Sequence, residues 1–152
     1  MHNYEITIVL DRLRSAFNVG NIFRIADAVG AKEIICCGYT ATPPHPKLEK
    51  SAMGADKMVK SRHFASAKDA IIQLKKEGIE CVCAVDTLEN AKLASEFNYP
   101  AKVAIVLGNE ALGIQNETLE VCDEAICLPM FGEKKSINVG NCAAVVLFGI
   151  VS

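Results

Sequence analysis

The chain has no Cys-x-x-Cys pair, only three histidines and no excess of positive charge, and each shortage removes a class of protein. The seven cysteines, Cys36, Cys37, Cys81, Cys83, Cys122, Cys127 and Cys142, are scattered through apolar, strand-like runs without the spacing of a zinc site. They read as small buried hydrophobes in a reducing compartment. Sixteen basic and eighteen acidic residues give a formal charge of −2, which argues against a broadly basic nucleic-acid binder and leaves room for a local basic patch. The longest apolar run, Cys142 to Val151, is about half the ~20 residues that a membrane-spanning helix needs. Met1 to Glu5 lacks a basic segment followed by an apolar one, so no secretory signal is visible and the cytoplasm is the expected location. There is also no P-loop and no nucleophile elbow. The turn after the first strand, Asp11 to Asn18, lacks the glycine-rich pattern of a dinucleotide-binding fold, with Gly20 alone inside the following helix.

What is present is a packed, regularly alternating chain. Its 152 residues, 51% apolar and 22% charged, suit one globular domain spanning 1–152. Strands are expected at Glu5 to Leu10, Lys32 to Cys37, Met58 to Phe64, Cys81 to Val85, Val103 to Leu107 and Ala125 to Leu128. Between them, Asn18 is placed as the N-cap of a helix with Ile22, Ile25, Ala26 and Val29 on one face and Gly30 as its stop. Short helices are read at Lys47 to Gly54, Ala91 to Phe97 and Gln115 to Cys122, and an amphipathic one at Ser66 to Lys76. Thr42 to Pro46 is a rigid proline-rich loop. No internal repeat or low-complexity linker interrupts the alternation, which predicts an α/β fold with a mostly parallel sheet flanked by helices. The last helix, Val139 to Val151, is apolar almost all round and must be covered on more than one side. A second copy of the chain is the natural cover, with Gly140, Ala143 and Ala144 allowing close approach.

Three polar clusters sit where a strand gives way to a helix, the usual place for a ligand crevice in an open α/β sheet. They are Asn18-x-Gly20-x-x-x-Arg24, then Leu107-Gly108-Asn109-Glu110-x-x-Gly113, then Leu128-Pro129-Met130 continuing through the loop Phe131 to Lys135 into Ser136-Ile137-Asn138-Val139. In this order and at these strand ends the clusters resemble the three motifs of the SpoU (TrmH) family of RNA ribose methyltransferases, within the wider SPOUT group. The resemblance runs from Ile8 to Val151. It implies a C-terminal trefoil knot, a bound S-adenosylmethionine, a homodimer whose active site draws on both copies, and methylation of a ribose 2′-hydroxyl in RNA. One departure is visible: the family's third motif usually continues with serine after Asn-Val, whereas this chain has Gly140-Asn141.

Methyl transfer to an alcohol needs in-line placement of the oxygen, calls for no metal, and needs a group that stabilises the oxygen as its proton leaves. The resemblance assigns catalysis to Asn18, Arg24, Glu110, Ser136 and Asn138. Arg24 is read as a clamp on the target phosphate, since a guanidinium with a pKa above ~12 is a poor base. Glu110 is read as ordering the loop around Arg24 or facing the sulfonium, or as a first-turn helix glutamate, and one of Ser136 and Asn138 as a helix cap. Cofactor contacts are expected from Val85, Asp86, Thr87, Leu107, Gly108, Asn109, Gly113, Leu128, Met130, Ser136 and Ile137. RNA contacts are expected from Arg12, Arg14, Arg24, Lys47, Lys134 and Lys135, with Lys50 nearby. The absence of an appended RNA-binding domain favours tRNA over rRNA. Two alternatives stay open here, an RNA-binding relative without turnover and a methyltransferase acting on a base.

Overall fold

The computed structural model describes residues 1–152. Seven strands form one sheet: β1 (Glu5–Asp11), β2 (Glu33–Cys37), β3 (Lys60–Phe64), β4 (Cys81–Val85), β5 (Lys92–Leu93), β6 (Lys102–Gly108) and β7 (Glu124–Cys127). Five helices lie between and after them: α1 (Ala16–Val29), α2 (Pro46–Ala52), α3 (Ala67–Lys76), α4 (Asn116–Leu119) and α5 (Val139–Val151). The strand order is β3-β2-β1-β6-β4-β7-β5, and every pairing is parallel. The central strands are apolar throughout because both faces are covered. Ile6, Ile8 and Leu10 of β1 enter a core with α1 and α5, while Val9 enters a second core under Ala67, Ala70, Ile71 and Leu74 of α3. No helix is long and apolar enough to cross a membrane.

The chain winds outward from β1 through β2 to β3 on one side, then returns to place β6 beside β1 and β4 beyond it. Asp11 at the end of β1 is the register partner of Gly108 at the end of β6. The direction of winding reverses here, which opens a crevice at the carboxyl edge. On the helix side, α2 lies hard against α1. A Cβ on Gly20 would stand 2.3 Å from the Leu48 carbonyl oxygen, so only glycine permits this approach.

Four expectations are corrected. The N-cap of α1 is Ser15, whose hydroxyl accepts the Asn18 amide at 3.1 Å, so Asn18 lies in the first turn with its side chain free for other work. Ala91 to Phe97 is not a helix: Lys92–Leu93 pairs with β7, the Ala94 amide donates to the Cys127 carbonyl, and the Tyr99 hydroxyl donates to the Ala94 carbonyl. Pairing with the sheet outweighs the local helical pattern there. The helix read over Gln115 to Cys122 is a single turn, Asn116–Leu119. Finally, Gly140 and Ala143 face inward, and a Cβ on Gly140 would meet Asn21 Nδ2 at 2.6 Å. Their small size therefore serves packing of α5 on α1 within the chain, and α5 exposes Asn141, Val145, Phe148 and Gly149 instead.

Candidate active site

Four strand ends supply the site, and buried polar groups fix the loops that leave them. Asp11 is 1% exposed; it accepts the Gln115 amide at 3.0 Å and the Arg12 guanidinium at 3.0 and 3.3 Å. The same guanidinium donates to the Gly113 carbonyl at 3.0 Å, which ties the β1 loop to the turn after β6. The hydrogen bond to Asp11 raises the Arg12 pKa against the opposing effect of burial. Arg12 thus ties the frame of the site together.

The turn Asn109 to Gly113 is closed by reciprocal backbone bonds of 3.1 and 3.0 Å and braced by the Asn109 side chain. Asn109 Oδ1 accepts the amides of Ala111 and Leu112, and Nδ2 donates to the Arg12 carbonyl and the Tyr39 hydroxyl, all at 2.8 Å. A Cβ on Gly108 would fall 2.5 Å from the Gly113 carbonyl carbon and 2.6 Å from the Ile114 nitrogen. The turn folds directly over position 108, so the residue there cannot carry a side chain.

Glu110 stands in this turn and not at the head of a helix, which corrects the first-turn reading. Its carboxylate accepts the amides of Arg14 at 2.8 Å and Ser15 at 3.0 Å and the Asn18 side-chain amide at 3.1 Å. Burial alone would raise its pKa. The bonds from the backbone amides of Arg14 and Glu110 itself, from Asn18 and from Ser15 outweigh that and hold the carboxyl below its ordinary range. Glu110 therefore orders the β1 loop. Asn138 is the N-cap of α5, accepting the amides of Gly140 and Asn141, and its Nδ2 donates to Asn18 Oδ1 at 3.3 Å. One side chain, Asn18, thus joins all three motifs.

Beside that junction is a cavity of about 750 Å³. All eleven residues expected to contact the cofactor, from Val85, Asp86 and Thr87 through Leu107, Gly108, Asn109 and Gly113 to Leu128, Met130, Ser136 and Ile137, line it. Asn18, Glu110, Lys135 and Asn138 line it too. Sequence reading missed Ala111, Leu112, Cys127, Val139 and Cys142 as lining residues. All five are apolar, but nothing in the turn after β6, at the end of β7 or in the first turn of α5 gave a sign of which side chains meet the cavity. Arg24 is not brought in: it is exposed, makes no ion pair, and lines a separate depression of about 550 Å³ with Met53 and Met58. Arg14, Lys47 and Lys134 are exposed, and none of them lines the cavity.

The cavity suits a nucleoside-bearing sulfonium in size and chemistry. Leu107, Leu112, Leu128, Ile137 and Val139 give apolar walls. One Asp86 oxygen is held by the Thr87 amide at 2.8 Å, and the other, 3.8 Å from where a Gly113 Cβ would lie, takes no bond from the chain. That oxygen is an acceptor available to ligand hydroxyls or to positive charge.

Comparison with known proteins agrees with this geometry. The model of the SpoU rRNA Methylase family matches residues 5–148. A tRNA (guanosine(18)-2'-O)-methyltransferase of Thermus thermophilus is 32% identical over 144 residues, which covers 95% of this chain and 73% of that protein. The Escherichia coli protein of the same name is 29% identical over 147 residues, 95% of this chain and 62% of its own length. Among solved structures, the SpoU methyltransferase AviRb from Streptomyces viridochromogenes in complex with AdoMet has a TM-score of 0.87 at 25% identity, covering 99% of this chain and 58% of that one. The chain thus spans less than two thirds of the length of the latter two.

Proposed function

The chain belongs to the SpoU rRNA methylase family, and from that premise we propose that it methylates a ribose 2′-hydroxyl in RNA using S-adenosylmethionine, with tRNA favoured over rRNA. The observation that carries the reading is the junction at Asn18, which bonds Glu110 at 3.1 Å and Asn138 at 3.3 Å beside the cavity. The bound donor supplies an electrophilic methyl group on a sulfonium. The turn Asn109 to Gly113 and the apolar residues of the cavity hold it, with Asp86 as the polar anchor. Glu110 and Asn109 keep the turn fixed, so that little reorganisation is needed as charge develops. Ser136, exposed and without a hydrogen bond inside the chain, orients the target ribose at the cavity wall.

Arg24 clamps the target phosphate and stabilises the charge growing on O2′, and the phosphate takes the proton. Because Arg24 lies outside the cavity of its own chain, the complete site is built in a homodimer, in which each copy lends Arg24 to the other. The exposed apolar pair Val145 and Phe148 on α5 supports an interface there. Residues 128–151 are threaded as a trefoil knot. The return of the chain from β7 to pack α5 on α1 and β6 supports that threading. Arg14, Lys47, Lys134 and Lys135 meet RNA phosphates, and the protein works in the cytoplasm.

Incubation with methyl-labelled donor and total RNA tests the reading. Label fixed on RNA by the wild type and lost in Arg24→Ala is the expected result, with a 2′-O-methyl nucleoside after nuclease digestion. Label on a base, or none, overturns it. Light scattering that gives a monomer at micromolar concentration removes the dimer.

A further inference from the structure

We propose that Tyr39 is a stacking platform for a base of the RNA substrate, a role that rests on the reading above. Tyr39 follows β2, at the same carboxyl edge of the sheet as the donor cavity. Gly38 before it has a left-handed backbone, φ +63°, and a Cβ on Gly38 would come within 3.1 Å of Arg12 Cγ, so the turn brings residue 39 beside Arg12. Tyr39 is 60% exposed, yet its hydroxyl accepts Asn109 Nδ2 at 2.8 Å. Asn109 itself is 4% exposed and braces the turn over the cavity. A tyrosine of the core would bury its ring, and a surface tyrosine without a role would leave its hydroxyl to water. Here the hydroxyl is anchored to the most constrained amide of the site while the ring stays open to solvent. Single-stranded RNA is recognised by aromatic faces of this kind, held rigid before the base arrives. The ring therefore receives a nucleotide of the substrate strand while the Asn109 turn holds the methyl donor.

The chain has no tryptophan, so Tyr39→Trp places a single fluorescent reporter at this position. Titration of that variant with an unmodified tRNA transcript is expected to quench its emission, saturating at the concentration that saturates wild-type binding in a filter assay. Tyr39→Ala and Tyr39→Leu are expected to bind the transcript about 5- to 150-fold more weakly, the range for one lost base stack, while Tyr39→Phe stays within about threefold of wild type. Calorimetric affinity for S-adenosylmethionine is expected to be the same in Tyr39→Leu as in Tyr39→Phe, which lacks the same hydroxyl bond to Asn109, and this separates loss of the platform from loosening of the turn over the cavity. Unchanged emission at saturating transcript, or a leucine variant that binds as tightly as wild type, overturns the proposal. If wild type takes up the donor and methylates RNA while Tyr39→Leu does so equally well, only the platform fails. If wild type takes up no donor, the methyltransferase reading fails.

Discussion

Replacing Glu110 by glutamine tests whether this carboxylate ties the turn after β6 to the head of α1. Its two oxygens accept three donors, the amides of Arg14 and Ser15 and the side chain of Asn18, at 2.8, 3.0 and 3.1 Å. In glutamine one oxygen becomes a donor, so at least one of these contacts turns into donor against donor. Loss of one partner of a charge-assisted bond costs ~1.5–3 kcal/mol in buried settings. Glu110 is exposed and water offsets part of that, so a loss of about 1–2 kcal/mol is expected. Urea unfolding at pH 7 followed by circular dichroism reads it as a lowered midpoint with an unchanged slope. The pH dependence has a fixed sign. Because folding lowers the Glu110 pKa, the advantage of wild type over the variant is full above the ordinary value of 4.5 and fades as pH falls through the folded value. Equal midpoints at pH 7, or a gap that widens on acidification, would refute the reasoning.

Gly108→Ala should push the Asn109 to Gly113 turn off its seat, costing about 1–3 kcal/mol and weakening calorimetric uptake of S-adenosylmethionine at least about tenfold; unchanged affinity would contradict the packing described. Asn109→Ala strips partners from the amides of Ala111 and Leu112 and from the Arg12 carbonyl, and should cost about 3 kcal/mol or more in urea unfolding. Arg62→Ala leaves Glu33, whose side chain is 5% exposed, without its cation, and a loss of about 2–3 kcal/mol is expected. The same arginine, with Gln73, holds the Glu77 carboxyl down to about 2, so the stability it contributes is present above 4.5 and disappears as pH falls through that lower value. Acid titrations of wild type and Arg62→Ala should therefore converge at low pH.

The strands and the cavity walls were legible because their signals are local. Both faces of β1, β2 and β6 are covered, which forces continuous apolar runs, and the glycines and asparagines at their ends mark where backbone must bend. Errors arose where a tertiary partner decides the outcome. Asn18 has the chemistry of a cap, but Ser15 three residues earlier takes that place, and the Asn18 amide is drawn to Glu110, 92 residues away. Lys92–Leu93 follows β7 and not its own helical pattern, since two residues of pairing plus the Ala94 and Tyr99 bonds fix the segment. The inward turn of Gly140 depends on Asn21 in α1, to which nothing in the sequence around 140 points.

The polar side chains of the carboxyl edge fall into two groups by whether the chain itself satisfies them. Asp11, Arg12, Asn18, Asn109, Glu110 and Asn138 bond to one another or to the backbone of a different loop, and together they form a continuous frame from β1 through β6 to α5. Ser136, Lys134, Lys135, Arg24 and the Arg14 side chain have no such partner. A group that is already satisfied gains little from a ligand, because any new bond must replace an existing one. An unsatisfied, solvated group loses only water when it meets a phosphate or a hydroxyl. Substitutions in the frame should therefore lower stability and donor affinity together. Substitutions of Arg14, Arg24 and Lys134, which lie outside the cavity, should leave both unchanged and fall on RNA binding or turnover, although these residues lie in or beside the same three motifs.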